Sequence, residues 1–275
     1  MDLIVPVAPP PSPCHTEEED WGSKTLLHRL AQQLQLYKPH RVLLDDHEVD
    51  QGNNDEEEQI GSNCGIRNYM RTTSQEFSNC VNWRKRRAAV LICLFEGPQG
   101  ELRVILTKRS MKLASHPGDV ALPGGKMEER DVDDSATALR EAMEEIGLDP
   151  ALVQVLANLE PFLSQHLLKV IPVIGLVARI QDFKPLLNTD EVDAIFDVPL
   201  EMFLKEENHR IEEREWMGWK YGLHLFEYES EQGEYMICGL TAAILIRVAS
   251  LIYQRSPSFQ PSLPDFQTIA RSSLN

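Results

Sequence analysis

Three glutamates, Glu141, Glu144 and Glu145, are spaced so that their side chains lie together if the segment is helical. Successive helix residues are rotated by about 100°, so the three carboxylates fall within an arc of roughly 100° on one face. Carboxylates this close repel one another unless a cation lies among them, and Mg²⁺ and Mn²⁺ select carboxylate oxygens as ligands. Arg140 precedes Glu144 by four residues, so it can pair with that carboxylate and orient it. The pattern predicts a divalent-metal site.

A solvated acidic helix face is the simpler interpretation of these glutamates, because such faces are common in an acidic chain. Three glycines favour the metal site instead. Gly124 and Gly125 lie upstream and allow backbone conformations that residues with a Cβ resist. Gly147 stands just after the glutamates, where a helix often ends at a glycine. Together with Arg140, these glycines favour a built site over an ordinary acidic surface.

The elements that must position these residues follow from periodicity. Residues 134–146 are predicted to form a helix, capped by Asp133, Asp134 or Ser135 and ended by Gly147. The predicted strands are 88–95 and 102–108, joined by a Gly/Pro turn, then 153–159 and 170–177, with a Trp-rich strand pair over 215–228. A short helix begins at 199–203, and 240–253 is an apolar helix. Strands mixed with two substantial helices predict an α/β or α+β sandwich.

The charge balance excludes several classes of function. The chain has 275 residues, with 27 Lys+Arg against 43 Asp+Glu and a net charge of −16. Such an acidic chain has no general attraction for nucleic acid or anionic lipid.

Its longest purely apolar run, 88–95, is far shorter than the roughly 20 residues that span a bilayer. The five cysteines form no C-x-x-C pair, which argues against a disulfide scaffold or zinc cluster.

Much of the acidity lies in an N-terminal extension. Residues 1–60 hold 13 acidic and 4 basic residues. We predict that 1–83 is an extension with disordered acidic segments around a helix at about 23–37, that 84–254 is the main domain, and that 255–275 is a disordered tail. The basic run 84–87 is either a nuclear-import patch or a solvated boundary. No Arg-rich presequence and no C-terminal S-K-L is seen, so the expected compartment is the cytoplasm, with an organelle left open.

A family resemblance covers the same residues. Residues 140–148, Arg-Glu-Ala-Met-Glu-Glu-Ile-Gly-Leu, resemble the second half of the Nudix box, G-x5-E-x7-R-E-U-x-E-E-x-G-U, with U apolar. The first half departs from that pattern, because Gly125 to Arg140 is one residue longer and Asp131 replaces the early Glu.

That departure resembles the coenzyme A pyrophosphatase branch of the superfamily. Its upstream signature, approximately L-L-T-x-R-S-x-x-L-x-x-H-x-G-x-V-x-F-P-G-G, is similar to residues 105–125. Ile105 stands for the first Leu and Leu122 for the Phe. The two motifs form one continuous stretch, 105–148, and the N-terminal Leu-Leu-His-Arg-Leu segment is similar to plant members.

The resemblance implies a Nudix-type α/β/α sandwich with a mixed sheet. It also implies a hydrolase that uses Mg²⁺ or Mn²⁺ to cut the diphosphate of coenzyme A or its derivatives, giving 3′,5′-ADP and 4′-phosphopantetheine or its acyl form. The alternatives are another nucleoside diphosphate derivative, such as ADP-ribose or NADH, or a Nudix module that binds nucleotide without cutting it. The oligomeric state is left open.

The resemblance also implies roles. Glu141 and Glu145 are the expected direct metal ligands, Glu144 is a further ligand or catalytic support, and Arg140 orients the carboxylates. Glu191, outside the box, is either the acid that deprotonates water or an ordinary loop residue. Arg109, Lys108 and Lys112 could meet the 3′-phosphate of coenzyme A, a group that suits Arg. His116 either contacts a phosphate or holds its loop. The predicted substrate-binding residues are Lys108, Arg109, Ser110, His116, Gly124 and Gly125.

An aromatic set in the Trp-rich strand pair has two interpretations. It forms either the hairpin core or a shelf on which adenine stacks. Its members are Trp216, Trp219, Tyr221 and Phe226.

Overall fold

The computed structural model describes residues 27, 29–34, 37, 87–164, 168–216 and 219–261. The predicted acidic segments, the basic residues 84–86 and the tail from 262 lie outside these ranges. Within them, no helix is both long and apolar enough to cross a membrane. The two cysteines in these ranges, Cys93 and Cys238, are free thiols.

The described domain contains eleven strands and two α-helices, with short 3₁₀ turns between them. In chain order they are β1 (Arg87–Glu96), β2 (Leu102–Arg109), β3 (Val120–Ala121), β4 (Gly124–Lys126), α1 (Asp134–Ile146), β5 (Gln154–Asn158), β6 (Phe162–Leu163), β7 (Lys169–Leu176), β8 (Val192–Pro199), β9 (His209–Trp216), β10 (Trp219–Ser230), β11 (Gly233–Cys238) and α2 (Gly239–Tyr253). The predicted strand pair over 215–228 is in fact the β9–β10 hairpin, which starts at His209. The longer strands β8 and β11 and the short strands β3, β4 and β6 were not predicted.

The strands form two sheets. The larger is mixed, with the order β3-β2-β1-β7-β5 and with β4, β6 and β8 paired to β1, β7 and β2. Its parallel pair is β1 with β7, and its other pairs are antiparallel. The smaller sheet is an antiparallel meander, β11-β10-β9. The mixed sheet carries the glutamate helix α1, because β1 and β4 both pack against it.

Alternation along β1 separates the two faces of the mixed sheet. Ala89, Leu91 and Cys93 belong to the core that contains Ala138, Ala142 and Ile146 of α1. Ile92 and Leu94 belong to the core that contains α2 and the second sheet. Side chains of a strand point alternately to opposite faces, so one apolar strand supplies both cores. The predicted α/β/α sandwich with a mixed sheet is confirmed.

Segments from both ends of the chain contact this domain. Residues 29–34 are helical, with Leu30 and Leu34 buried in the α2 core. The Gln33 side chain donates to the Leu251 carbonyl, at 3.0 Å. On the other side, Phe259 stacks on His209 of β9, with ring centroids 3.8 Å apart. Residues 255–261 therefore contact the domain although the sequence placed them in a disordered tail, and the division of the chain at 84 and 255 stays a prediction.

Candidate active site

Helix α1 is held at both ends by residues that the sequence predicted. The Asp133 carboxylate accepts the Ala136 N–H at 2.8 Å, so Asp133 is the N-cap of the three candidates. Gly147 has φ 72° and ends the helix. Its N–H donates to the Met143 carbonyl at 3.0 Å. These caps fix the length and rotation of the helix that carries the glutamates.

The two glycines of β4 bring the sheet into contact with this helix. Gly124 has φ 155°, and a Cβ there would collide with the Ala89 carbonyl and Val90 Cα of β1. Its N–H donates to Oε2 of Glu145 at 3.1 Å. A Cβ on Gly125 would lie 2.5 Å from the Glu141 carboxyl carbon. Gly124 therefore hydrogen-bonds Glu145 and Gly125 lies close to Glu141, and the predicted contact of both glycines with substrate stays a prediction.

Arg140 is the centre of an ion-pair network. Its guanidinium makes two parallel bonds to Asp131, Nε to Oδ1 and Nη2 to Oδ2, both 2.9 Å. It also lies 3.0 Å from both Glu141 and Glu144 and donates to the Lys126 carbonyl. These hydrogen bonds to Arg140 hold the pKa of Asp131 far below its usual range. Arg140 thus contacts two of the three glutamates, and its orienting role stays a prediction.

Glu144 differs from the other two glutamates. Its side chain is 46% exposed, and its two oxygens accept from Arg130 and Arg140, each at 3.0 Å. Arg130 is exposed and Arg140 is largely buried, so Glu144 pairs with one cation on each side of the protein surface boundary. Its predicted role as metal ligand or catalytic support stays a prediction.

Glu145 is a buried carboxylate, with only 5% of its surface exposed. Burial raises its pKa to about 8, and the charges of Glu141 and Glu191 raise it further. The hydrogen bond from the Gly124 N–H and the charge of Arg109 oppose this shift. Burial also raises the pKa of Glu141, where Arg140 opposes the shift. Glu191 adds to that shift as well. A divalent cation among these carboxylates would relieve both the burial cost and the mutual repulsion.

Glu191 is brought to the site by a strand that the sequence analysis missed. It lies directly before β8, which pairs with β2, and its carbonyl accepts the Ser110 N–H at 2.8 Å. It is exposed, and its charge acts on both Glu141 and Glu145. The structure thus places this candidate near the box, 46 residues beyond Glu145 in sequence.

Arg109 enters the site from the other side, at the end of β2. The β2–β8 register shifts between Lys108 and Arg109, and such irregularities re-aim side chains. One nitrogen, Nη2, donates to the Ser115 carbonyl at 3.3 Å. Its Nε is buried and has no hydrogen-bond partner among the described residues. A buried, unpaired donor on a cation whose charge acts on Glu145 is suited to an anionic oxygen of a ligand.

The remaining predicted contacts lie in the loop after β2. Ser110 is fully buried, and with the Met111 N–H its hydroxyl lowers the pKa of Asp193. His116 has φ 53° and pairs with Asp119 at 3.0 Å, on the surface. These contacts give both residues a part in loop structure, and their contact with substrate stays a prediction, as does that of Lys108.

The candidate metal site consists of acidic side chains that affect one another's pKa values. Within the described ranges, no three His, Cys, Asp or Glu side chains are arranged so that they could already hold an ion. Glu141 instead pairs with Arg140, whereas Glu145 is buried under like charge. The chemistry nevertheless fits a hard divalent cation, because Glu141, Glu145 and Glu191 offer carboxylate oxygens within one electrostatic cluster. Glu141 and Glu145 would hold the ion, and Glu191 is a further carboxylate whose charge acts on both.

Two residues outside the predicted site, Asp131 and Arg130, form ion pairs with its side chains. Asp131 was noted only as a departure from the box, yet it is the bidentate partner of Arg140. Arg130 pairs with Glu144 across 14 residues. The substitution of Asp for the early Glu was the signal for the first contact, and no spacing rule indicates the second.

The aromatic set divides between its two interpretations. Phe226 is fully buried and packs edge-on to Phe203, at 4.9 Å between centroids, so it belongs to the core. Tyr221 is half-buried, and the side chains of Trp216 and Trp219 lie outside the described parts.

A capped glutamate helix on a mixed sheet, with an Arg-oriented carboxylate cluster, defines a hydrolase of the Nudix class. The NUDIX domain model matches residues 85–220. The chain is 51% identical over 249 residues to Nudix hydrolase 22, chloroplastic, of Arabidopsis thaliana, covering 90% of this chain and 80% of that protein. The chain therefore belongs to the Nudix hydrolase family, whose members generally use divalent metal ions and act on small molecules.

Two further relatives extend the comparison. Nudix hydrolase 15, mitochondrial, of Arabidopsis thaliana is 62% identical over 185 residues, covering 67% of this chain and 65% of that protein. The chain thus spans slightly less than two thirds of that relative. The peroxisomal coenzyme A diphosphatase NUDT7 of Mus musculus is 40% identical over 163 residues, covering 58% of this chain and 68% of that protein.

Proposed function

We propose that the chain hydrolyses the diphosphate of coenzyme A and its derivatives, releasing 3′,5′-ADP and 4′-phosphopantetheine or its acyl form. One observation carries the proposal: in the continuous segment 105–148, the charge of Arg109 acts on the buried Glu145, and the buried Nε of Arg109 has no hydrogen-bond partner among the described residues. The 40% identity to a coenzyme A diphosphatase supports the choice of substrate.

The proposed cofactor is Mg²⁺ or Mn²⁺, held by Glu141 and Glu145. When bound, such an ion polarises phosphoryl oxygens, neutralises developing charge and lowers the pKa of its water. The chain's own residues supply orientation. Gly124 fixes Glu145, Arg140 fixes Glu141 and Glu144, and Arg109 offers its Nε to a phosphate oxygen.

Proton transfer from the attacking water is the proposed task of Glu191. It is exposed, so solvent and substrate can reach it, and it lies within the electrostatic range of the two buried glutamates. A general base must lie within hydrogen-bond reach of the proton, directly or through one water. A loop position at the rim of the carboxylate cluster is compatible with that role.

A substrate panel tests the proposed function. The full chain is incubated with coenzyme A, acyl-coenzyme A esters, ADP-ribose and NADH, with Mg²⁺, with Mn²⁺ or with chelator, and products are identified by mass. We expect coenzyme A and its esters to have the highest kcat/KM, and the activity to vanish with chelator. A higher kcat/KM for ADP-ribose or NADH would overturn the proposed substrate. If no compound were cleaved, the alternative of a module that binds nucleotide without cutting it would be supported.

The compartment is a separate proposal, the cytoplasm. Three relatives carry mitochondrial, chloroplastic and peroxisomal names, so each organelle is a concrete alternative for the test. Imaging the chain with a fluorescent tag at the C-terminus, and separately at the N-terminus, against organelle markers would decide. Co-localisation of the C-terminally tagged chain with any one marker would overturn the proposal.

A further inference from the structure

The connection between α1 and β8 includes a segment that is bonded to the last turn of the helix. The N–H groups of Leu186 and Asn188 donate to the carbonyls of Ile146 and Glu145, at 2.9 and 3.0 Å. The last carbonyls of a helix have no partner within it. The segment therefore caps α1 at the turn that carries Glu145.

Asn188 organises this segment with all of its polar groups. Its carbonyl accepts the N–H of Glu191 at 2.9 Å and that of Val192 at 2.8 Å. Its side-chain Oδ1 accepts the Asp190 N–H at 3.2 Å, and its Nδ2 donates to Oε1 of Glu191 at 3.3 Å. The amide orientation follows from these partners, because a carboxylate only accepts and a peptide N–H only donates.

Among the described residues, the hydrogen bond from Nδ2 of Asn188 restrains the side chain of Glu191. Glu191 is exposed, and an exposed Glu side chain otherwise samples several rotamers. Asn188 is half-buried and bonded through its own N–H to the carbonyl of Glu145. Two hydrogen bonds of Asn188 thus link the backbone carbonyl of Glu145 to the side-chain carboxylate of Glu191.

We propose that Asn188 is a positioning residue that holds the Glu191 carboxylate toward Glu141 and Glu145, and so sets the geometry of the metal and water site. The proposal rests on the proposed function only in that Glu191 must act in the reaction. Supporting residues of this kind typically change metal affinity or activity by 10- to 100-fold when removed.

A double-mutant cycle between Asn188→Ala and Glu191→Gln tests it, with kcat, KM and the Mn²⁺ dissociation constant from calorimetry on substrate-free protein. We expect Asn188→Ala to lower kcat about tenfold and to weaken Mn²⁺ binding, with less than a twofold change in KM. In the Glu191→Gln background, the same change should add less than twofold to either quantity. Additive effects in both backgrounds would overturn the proposal.

Two variants separate positioning from loop structure. Asn188→Asp keeps the acceptor for the Asp190 N–H, and so the turn, but cannot donate to Glu191, so we expect a kcat loss as large as that of Asn188→Ala. Asp190→Ala removes the exposed ion pair with Lys112 and leaves the Asn188–Glu191 bond, so we expect wild-type values. Wild-type kcat in Asn188→Asp, or equal losses in Asp190→Ala and Asn188→Ala, would show a merely structural role.

The failure of this proposal and that of the substrate are distinguishable. The kinetic arm uses whichever diphosphate the panel identifies, and the calorimetric arm needs no substrate. Coupling in Mn²⁺ binding without coenzyme A cleavage would leave Asn188 assigned and overturn the substrate. Cleavage of coenzyme A without coupling would overturn the role of Asn188 alone.

Discussion

The carboxylate of Glu141 lies 2.5 Å from the position that a β-carbon of Gly125 would take, which is too close for both to fit. Gly125 is in β4 and Glu141 is in α1, so the absent side chain of one element makes room for the charged group of the other. The glycine pair that precedes the helix therefore acts on the site through space as well as through the backbone.

Gly125→Ala should displace the Glu141 carboxylate and lower kcat at least tenfold, about 1.4 kcal/mol of barrier. The loss is expected because the methyl group occupies the place of a proposed metal ligand. Gly97→Ala is the matched control, since a Cβ there would meet the Glu101 and Arg103 side chains at the far end of β2. Equal kcat losses in the two variants would contradict the steric argument.

Glu145→Gln should stabilise the metal-free protein by roughly 2 kcal/mol at pH 7 while lowering kcat at least a hundredfold. The buried carboxylate is under like charge, whereas the amide keeps an oxygen for the Gly124 N–H. Thermal unfolding with and without Mn²⁺, together with kcat, measures both effects. Glu144→Gln is the comparison, and it should show no stabilisation because its carboxylate is exposed and ion-paired. A destabilised Glu145→Gln variant would contradict this prediction.

Asp131→Asn should lower the free energy of unfolding by roughly 2 kcal/mol, because it leaves the largely buried Arg140 without its bidentate partner. Denaturant unfolding measures the loss. Asp133→Asn is a close control two residues away, and it should be nearly neutral since Asn is as good an N-cap as Asp. Similar losses in both variants would indicate a general effect of charge near the start of α1.

Helix α1, its Gly147 end and its carboxylate face are predictable because they depend on contacts within about four residues. The pairing of Arg140 with Glu144 is predictable for the same reason. The approach of Glu191 was offered only as one of two possibilities, because it depends on the pairing of β8 with β2, which the sequence analysis missed. Asn188 was not considered at all, since its importance comes from bonds to two elements. Long-range register, rather than local preference, accounts for what was missed.

Arg109→Lys should reduce the preference for coenzyme A over dephospho-coenzyme A, which lacks the 3′-phosphate, by about tenfold in kcat/KM. Lysine keeps the charge but loses the planar set of donors that suits phosphate. Arg179→Lys, at an exposed ion pair with Asp182, is the control for the same chemical change. An unchanged ratio in Arg109→Lys would place the 3′-phosphate elsewhere.

Acid should destabilise the protein through His224. It is buried in β10, with its Nδ1 at 2.9 Å from Nε2 of His209, and burial lowers its pKa to about 4. The folded state therefore binds the proton less readily than the unfolded state, whose pKa is near 6.5. The contribution of neutral His224 to the free energy of unfolding is fully present above about pH 6.5. It is lost as the pH drops toward 4, which lowers the free energy of unfolding by roughly 3 kcal/mol. The difference in urea unfolding between wild type and His224→Phe across this range isolates the effect, and parallel pH curves would contradict it.

The antiparallel pairing of β2 with β8 places Arg109, at the end of β2, opposite Val192, the residue that follows Glu191. Side chains alternate between the two faces of a sheet, so inserting a single residue within β2 would turn Arg109 away from the glutamate helix. An insertion of one residue in the turn 97–100, at the opposite end of β2, leaves the alternation of side chains along β2 unchanged. The chain therefore offers an insertion-tolerant end for peptide grafts and an insertion-sensitive end, and the two are separated by the length of one strand.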